Sequence, residues 1–364
     1  MSVGNHVQGT LSGARFPGRY LQGAGSLSLL GEEIALFGQR ALLIVDRGIY
    51  SRYVEPLSTS CQSLTTFVLE QHGGDCTEAE IDRLRQIAAA QGVEVVVGVG
   101  GGKTLDTAKA VAWHQTCASI IVPTIAASDA PCSALAVVYH PDGSVAYDLF
   151  LPRNPDLVLV DTALIAEAPP RFLVAGMGDA LATFYEAEAC HQSHAKNSFG
   201  VNGLPIAWAL ARQCLETLFD YGVTALEECR QQQAGESVER IVEANILLSG
   251  LGFESGGVAG AHAIHHGLCE LHATHNYLHG EKVALGVLAE LKLQQAEESV
   301  YRQVFNFCQS VGLPTSLAQL GIIEPTEAEL LQIAQRACRE GEIIYNEPFP
   351  ISVEQVVVVL RELR

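Results

Sequence analysis

The sequence predicts an α/β N-terminal domain on a parallel, doubly wound sheet, followed by an all-α C-terminal domain. Three observations carry this. Over the first 165 or so residues, short β-branched runs alternate with helical segments. The pair Pro169-Pro170 then marks a break, because proline ends regular structure and restricts its predecessor. Beyond it strand-like runs nearly vanish and long Ala/Leu/Glu/Gln-rich segments follow. Strand–helix alternation leads to a parallel sheet with crossover helices.

Taken in order, Ala41–Val45, Leu64–Leu69, Glu94–Val99 and Ser119–Val122 read as buried strands. Glu78–Gln91 has helical spacing and good helix formers. Ala134–Tyr139 and Ser144–Leu151 flank His140-Pro141-Asp142-Gly143, and Asp-Gly between two strand-like runs signals a hairpin. Asp156–Val160 is the last strand of this half, and Ile206–Leu218 and Val238–Ser249 typify the helical half. The expected domains are residues 1–167 and 168–364, and the cleft between two domains is the default place for a ligand site.

A chain of 364 residues suits two domains. With 48% hydrophobic and 17% charged residues it can build a sizeable core, which excludes disorder. The formal net charge of -19, with no Lys/Arg run, would repel a polyanion, so no nucleic-acid partner is expected. The ten cysteines are scattered singly from Cys61 to Cys338 with no C-x-x-C pair. That pattern fits reduced, buried thiols in a cytoplasmic protein better than a disulfide framework. The opening MSVGNHVQGT has no charged start and no apolar core, and no stretch is long enough to span a bilayer. Neither an export signal nor a membrane segment is expected.

The strand ending at Val99 runs into Gly100-Gly101-Gly102-Lys103-Thr104, and Leu105–Trp113 looks helical. A strand, a glycine turn and a helix N-terminus form an anion site, with N–H groups pointing outward and about half a positive charge from the helix dipole. Two known fingerprints are not met. Gly98 has three residues before Gly102-Lys103 where a P-loop needs four, and Gly98, Gly100 and Leu105 do not complete G-x-G-x-x-G. A phosphate-binding turn of another type remains, beside the bland reading of a plain tight turn. Asp46 directly follows a strand, where a carboxylate can accept from ribose hydroxyls and repel a 2′-phosphate, although Asp is also a common turn residue.

Three segments carry candidate metal ligands. Asp179 is expected early in a helix, where Asp is most often a cap. Six histidines lie between His262 and His279. His262 and His266 are one helical turn apart and share a face, whereas His265 points elsewhere and reads as structural, as do His272 and His275. One Asp and two His with an open position would suit catalytic Zn²⁺.

Together these residues make the chain resemble the glycerol dehydrogenases of the iron-containing alcohol dehydrogenase superfamily. The resemblance runs from Gly18 to about residue 295. It rests on GGGKTLDTAKA from Gly100, PTIAASDAPCSALAVVY from Pro123, GDALATFYEAEAC from Gly178, SGLGFESGG from Ser249 and HGEKVALG from His279. It implies the dehydroquinate synthase-like fold, with a nucleotide-binding α/β domain and a helical metal-binding domain. It implies zinc on Asp179, His262 and His279. It implies NAD against Asp46, the turn Gly100, Gly101 and Gly102, Lys103 and Thr124, with Ser133, Leu135 and Tyr139 near the nicotinamide. Substrate hydroxyls would lie near Asp129, and a homo-octamer is implied. Iron-dependent relatives carry a fourth ligand, His, four residues after the Asp; Thr183 stands there. Three ligands leave room for a 1,2-diol to chelate the metal. His266 departs from the Asn of many glycerol dehydrogenases and matches the proton-relay His of iron-type relatives, which makes it a second catalytic candidate beside Asp129.

The expected reaction is oxidation of glycerol to dihydroxyacetone, with zinc as Lewis acid and hydride passing from the resulting alkoxide to NAD. The rivals are a superfamily dehydrogenase acting on another diol, a hydroxy acid or glycerol phosphate, a dehydroquinate synthase-like lyase, and a non-catalytic NAD sensor. A phosphate-bearing substrate calls for Arg or Lys near the metal. Between Gly176 and Glu281 the only ones are Lys196, Arg212, Arg230 and Arg240, none beside a candidate ligand.

Overall fold

The computed structural model describes residues 11–364, so the N-terminal stretch read above for an export signal lies outside the described residues. The chain forms two compact units. One comprises residues 16–179 and 217–250, the other Arg15 and the described residues before it, 180–216 and 251–364.

The first unit contains β1 (Tyr20–Gln22), α1 (Leu30–Ala35), β2 (Arg40–Val45), α2 (Tyr50–Cys61), β3 (Thr66–Gln71), α3 (Glu78–Gln91) and β4 (Val95–Gly100). It continues through α4 (Gly102–Gln115), β5 (Ala118–Pro123), β6 (Leu135–Tyr139), β7 (Val145–Phe150), β8 (Leu157–Val160) and α5 (Thr162–Glu167). The start of α6 (Pro170–Ser193), the end of α7 (Pro205–Arg230), α8 (Glu236–Glu243) and a π-helical turn, Ala244–Leu248, complete it.

Six strands form one parallel sheet in the order β1-β8-β5-β4-β2-β3, and β6 and β7 pair as an antiparallel hairpin. The predicted doubly wound sheet is present. The central strands are apolar along their length because helices cover both faces: Leu42–Val45, Ile120–Val122 and Leu157–Val160 have no exposed surface. Gly98 lets α4 lie against β4, since a Cβ there would stand 2.6 Å from that of Ala108. The missed strand, β1, is three half-buried residues at the sheet edge, too short to show a period.

The chain lays β3 on one side of β2 and then crosses to β4 on the other, so the winding reverses between β2 and β4. At such a reversal the carboxyl ends of the strands open a crevice. Register sets Val45 opposite Val99 and Gly100 opposite Pro123, so Asp46, the glycine turn and Thr124 come out side by side.

The second unit is helical, with no strand among the described residues. It holds the rest of α6 and α7, most of α9 (Ser249–Gly256), then α10 (Gly260–Leu268), α11 (His279–Leu293), α12 (Glu298–Val311), α13 (Glu327–Ala337) and α14 (Val353–Glu362). Helix α10 touches its neighbours backbone to backbone. A Cβ at Gly286 would collide with the Ala261 carbonyl, and one at Gly267 with that of Ile333.

Two expectations need correction. Helix α4 begins at Gly102 rather than Leu105, so the glycine turn itself supplies the first helical N–H groups. Asp179 lies beyond the second turn of α6, not early in a helix, because Pro170 opens that helix instead of delaying it. A capping role for Asp179 is thereby excluded. All ten cysteines are free thiols. Among the described residues no helix is long and apolar enough to cross a membrane.

Candidate active site

At the sheet reversal, Asp46 continues the β2 ladder through its N–H to the Val99 carbonyl, 2.9 Å. Its carboxylate accepts from the Gly48 N–H at 2.8 Å and from the Thr104 hydroxyl at 3.2 Å. Thr104 lies 3.1 Å from His72 Nδ1, and His72 Nε2 lies 3.0 Å from the Thr107 hydroxyl. Burial lowers the pKa of His72, so this chain of groups is neutral beyond Asp46. Gly100 is required by close approach: a Cβ there would stand 2.7 Å from that of Asp46 and 3.0 Å from that of Thr104. At Gly102 a Cβ would meet nothing within 4 Å. The α4 N-terminus is therefore bare backbone facing open space, the form of a diphosphate cradle. Lys103 pairs with Asp75 and sits 5.0 Å over the Tyr139 ring, and the Thr124 N–H donates to the Gly100 carbonyl at 3.0 Å. The sequence-predicted residues Asp46, Gly100, Gly101, Gly102, Lys103, Thr124 and Tyr139 thus gather along one edge.

Ser133 and Leu135 belong to a segment held by a buried cation that the sequence reading missed. Lys109 donates to the carbonyls of Ala130 (3.0 Å), Ser133 (3.5 Å) and Leu135. It also pairs with Asp106 at 2.8 Å, and Asp106 accepts from the Val137 N–H at 3.0 Å. The signal was present: two charges three apart in DTAKA, inside the stretch 104–112 of α4 that is otherwise apolar or hydroxyl-bearing and buried throughout. In such a place charges are paired or bound to backbone.

Asp179 is aimed by a second close approach. A Cβ at Gly176, one turn earlier on α6, would collide with the Ala126 carbonyl, which Asn245 ties down at 3.0 Å while also holding Leu173 O at 3.0 Å. With α6 so close, Asp179 Oδ2 accepts the Asp129 N–H at 3.2 Å. The Asp129 carboxylate accepts from the Ser249 hydroxyl at 2.7 Å.

Asp179, His262 and His279 each offer one ligand atom, and these atoms all lie within 4.8 Å of one another. Asp179 is buried, His262 half-buried and His279 exposed, so the cluster is closed on one side and open on the other. One carboxylate and two imidazoles fit a divalent transition metal such as zinc, and the exposed side would leave room for a further ligand. Thr183, one turn after Asp179 on α6, is buried and packs its methyl against Gly252.

The two histidines are held from behind. Glu186, fully buried and two turns past Asp179 on α6, accepts the N–H groups of Ala259 (2.9 Å) and His262 (2.8 Å) through Oε1. Its Oε2 stands 2.6 Å from His262 Nδ1. Glu347 accepts the Gly260 N–H at 3.1 Å, so two carboxylates from elsewhere cap a helix whose own N-cap is Ala259. Beside them Glu290 is buried among acids. Desolvation, reinforced by Glu347 and Glu186, holds its carboxyl well above the usual carboxylate range.

His265 does not point away from the cluster. Its Nε2 lies 3.0 Å from His279 Nδ1 and 3.4 Å from the Cys269 thiol, because α11 packs across α10 at the face His265 shares with its start. Burial and the surrounding cationic groups push its pKa well down, so it is a neutral partner of His279. His266 instead faces Glu342 at 3.2 Å, and Glu342 also pairs with Arg336. His272 and His275 lie with their rings tilted at 50° and 5.2 Å apart, in and after a short 3₁₀ turn.

Residues 17–162 match the model of the iron-containing alcohol dehydrogenase family. The glycerol dehydrogenase of Thermotoga maritima is 51% identical over 95% of this chain and 95% of its own length. This chain belongs to the iron-containing alcohol dehydrogenases, among the glycerol dehydrogenases. That of Pseudomonas putida is 46% identical over 93% of each chain. The crystal structure of a probable glycerol dehydrogenase from Sinorhizobium meliloti superposes with a TM-score of 0.92 at 44% identity, covering 97% of this chain and 98% of that one. Like these relatives, the chain is an oxidoreductase of this fold.

Proposed function

We propose that this dehydrogenase oxidises glycerol, and related 1,2-diols, to the hydroxyketone with NAD as hydride acceptor and zinc at Asp179, His262 and His279. The observation that carries the reading is the carboxylate-plus-two-imidazole cluster, open on one side and tied to Asp129 through the Asp129 N–H. The names of the relatives support the substrate.

Zinc, when bound, supplies Lewis acidity that makes a substrate hydroxyl easier to deprotonate. The rest falls to the chain. The bare N-terminus of α4 holds the diphosphate of NAD, and Asp46, fixed by Gly48 and Thr104, accepts from the adenosine ribose. Its charge disfavours a 2′-phosphate. Ser133 and Leu135, whose carbonyls Lys109 holds, and Tyr139, under Lys103, line the nicotinamide end. Asp129, anchored by Ser249, orients the second hydroxyl. His266 with Glu342 provides an exit for the proton. A phosphorylated substrate is disfavoured, because Arg336, near His266, is already paired with Glu342 and Glu270.

NADH formation from NAD and glycerol on chelator-stripped protein, with and without added Zn²⁺, tests the reading. Turnover is expected only with zinc. NAD binding without NADH formation in the zinc-loaded protein would remove glycerol as substrate.

A further inference from the structure

We infer that Glu186 is a positioning residue for the metal: it sets the tautomer of His262, so that Nδ1 carries the proton and Nε2 is presented to the ligand cluster. The inference rests on the reading that Asp179, His262 and His279 hold a metal.

Glu186 Oε1 faces two backbone N–H groups, which can only donate. Both belong to the start of α10, whose dipole favours an anion there. The carboxylate is thereby held as an acceptor on one oxygen, and its second oxygen lies 2.6 Å from His262 Nδ1. The fitting partner for that oxygen is an Nδ1–H, a charge-assisted hydrogen bond. A neutral imidazole with its proton on Nδ1 has its lone pair on Nε2, the form a metal needs. The same carboxylate fixes the backbone of His262 and the proton of its ring, so ring position and tautomer are set together. Asp179 and Glu186 are seven apart on α6 and share a face, so one helix carries a ligand and the partner of another ligand.

Glu186→Gln separates this role from a structural one. The amide oxygen can still accept from Ala259 and His262 N–H. The amide nitrogen, however, donates to Nδ1, which moves the ring proton to Nε2 and blocks the metal. The readout is the zinc dissociation constant of the metal-free full chain by competition with a chelating indicator, with metal-free thermal melting as the control for folding. Glu186→Gln is expected to weaken zinc roughly 10- to 100-fold with little change in metal-free melting. In a His262→Ala background the same change should have no effect on zinc, because its route is gone.

Parent-like zinc affinity in Glu186→Gln overturns the inference, and so does an equal loss in both backgrounds. If His262→Ala and Asp179→Ala themselves leave zinc affinity intact, the metal-site reading is what fails. Should Glu186→Gln not fold, a crystal structure of the unmodified zinc-loaded protein decides. Zinc on Nε2 with Glu186 still on Nδ1 supports the inference; zinc on Nδ1 overturns it.

Discussion

Glu342 is a single residue on which charge, burial and pH meet. Burial pushes its carboxyl up, but the hydrogen bonds from His266 and the Ile343 N–H, with Arg336 alongside, more than reverse this and hold it at about 2. A carboxyl with a depressed folded-state pKa stabilises the fold above its unfolded pKa, about 4.3, and loses that contribution as pH falls through its folded value. Parent and Glu342→Gln should therefore differ by a constant melting temperature above about pH 5. The gap should close toward pH 2. Calorimetry across that range checks it, and a gap that widens in acid would contradict the assignment. At this scale the sequence was legible where a residue's chemistry is unusual for its setting, as with Asp179 and the histidine-rich stretch. It was not legible for His265, since three residues of helical spacing cannot reveal that α11 crosses at that face. Nor did it reveal Glu186, whose partner is 76 positions away.

Among the elements, α4 does two jobs at once. Its first turn offers bare N–H groups, and its middle carries Lys109, which binds three carbonyls of the segment from Ala130 to Leu135. Removing one partner of a buried ion pair costs about 3–5 kcal/mol, so Lys109→Met should destabilise strongly by leaving the Asp106 charge without its cation and taking a donor from the carbonyls of Ala130, Ser133 and Leu135. Adding Asp106→Leu should recover part of the loss, because the uncompensated charge goes too. Denaturant melts of the single and double variants measure this, and a double variant no better than the single would show that the carbonyls, not the pair, dominate. The strands of the sheet were legible because parallel strands covered on both faces become uninterrupted apolar runs. Helix starts were less so: Gly102 and Pro170 are both first helical residues, and glycine and proline look like interruptions in a linear reading.

For the whole molecule the net charge of -19 sets a condition on stability. Like charges repel most in the compact state, and salt screens them over a Debye length of about 8 Å at 0.15 M. Metal-free protein should gain melting temperature as NaCl rises from low to physiological strength, by about 1–2 °C for each kcal/mol of repulsion relieved in a chain of this size. A flat response in a salt titration would mean that the local pairs, such as Arg361 with Glu327, already balance the surface. The composition gave the size of the core and the acidic surface directly. It could not give the interleaving of the two compact units, in which α6 and α7 each begin in one and end in the other, because helical periodicity runs unbroken through both.

The glycines at 176, 267 and 286 have a consequence for how far this framework can drift. At each of them any side chain would strike a carbonyl oxygen of the neighbouring segment, so substitution there must move backbone. They lie on the helices that carry Asp179, His262 and His279. The spacing of the candidate ligands thus depends on positions where any side chain would force the backbone to move, whereas Asp129 and His266 carry ordinary side chains. On the proposed reading, exchange of Asp129 or His266 would change the substrate side of the cluster and leave these backbone contacts in place. Change at any of the three glycines would disturb the frame before it altered the choice of substrate.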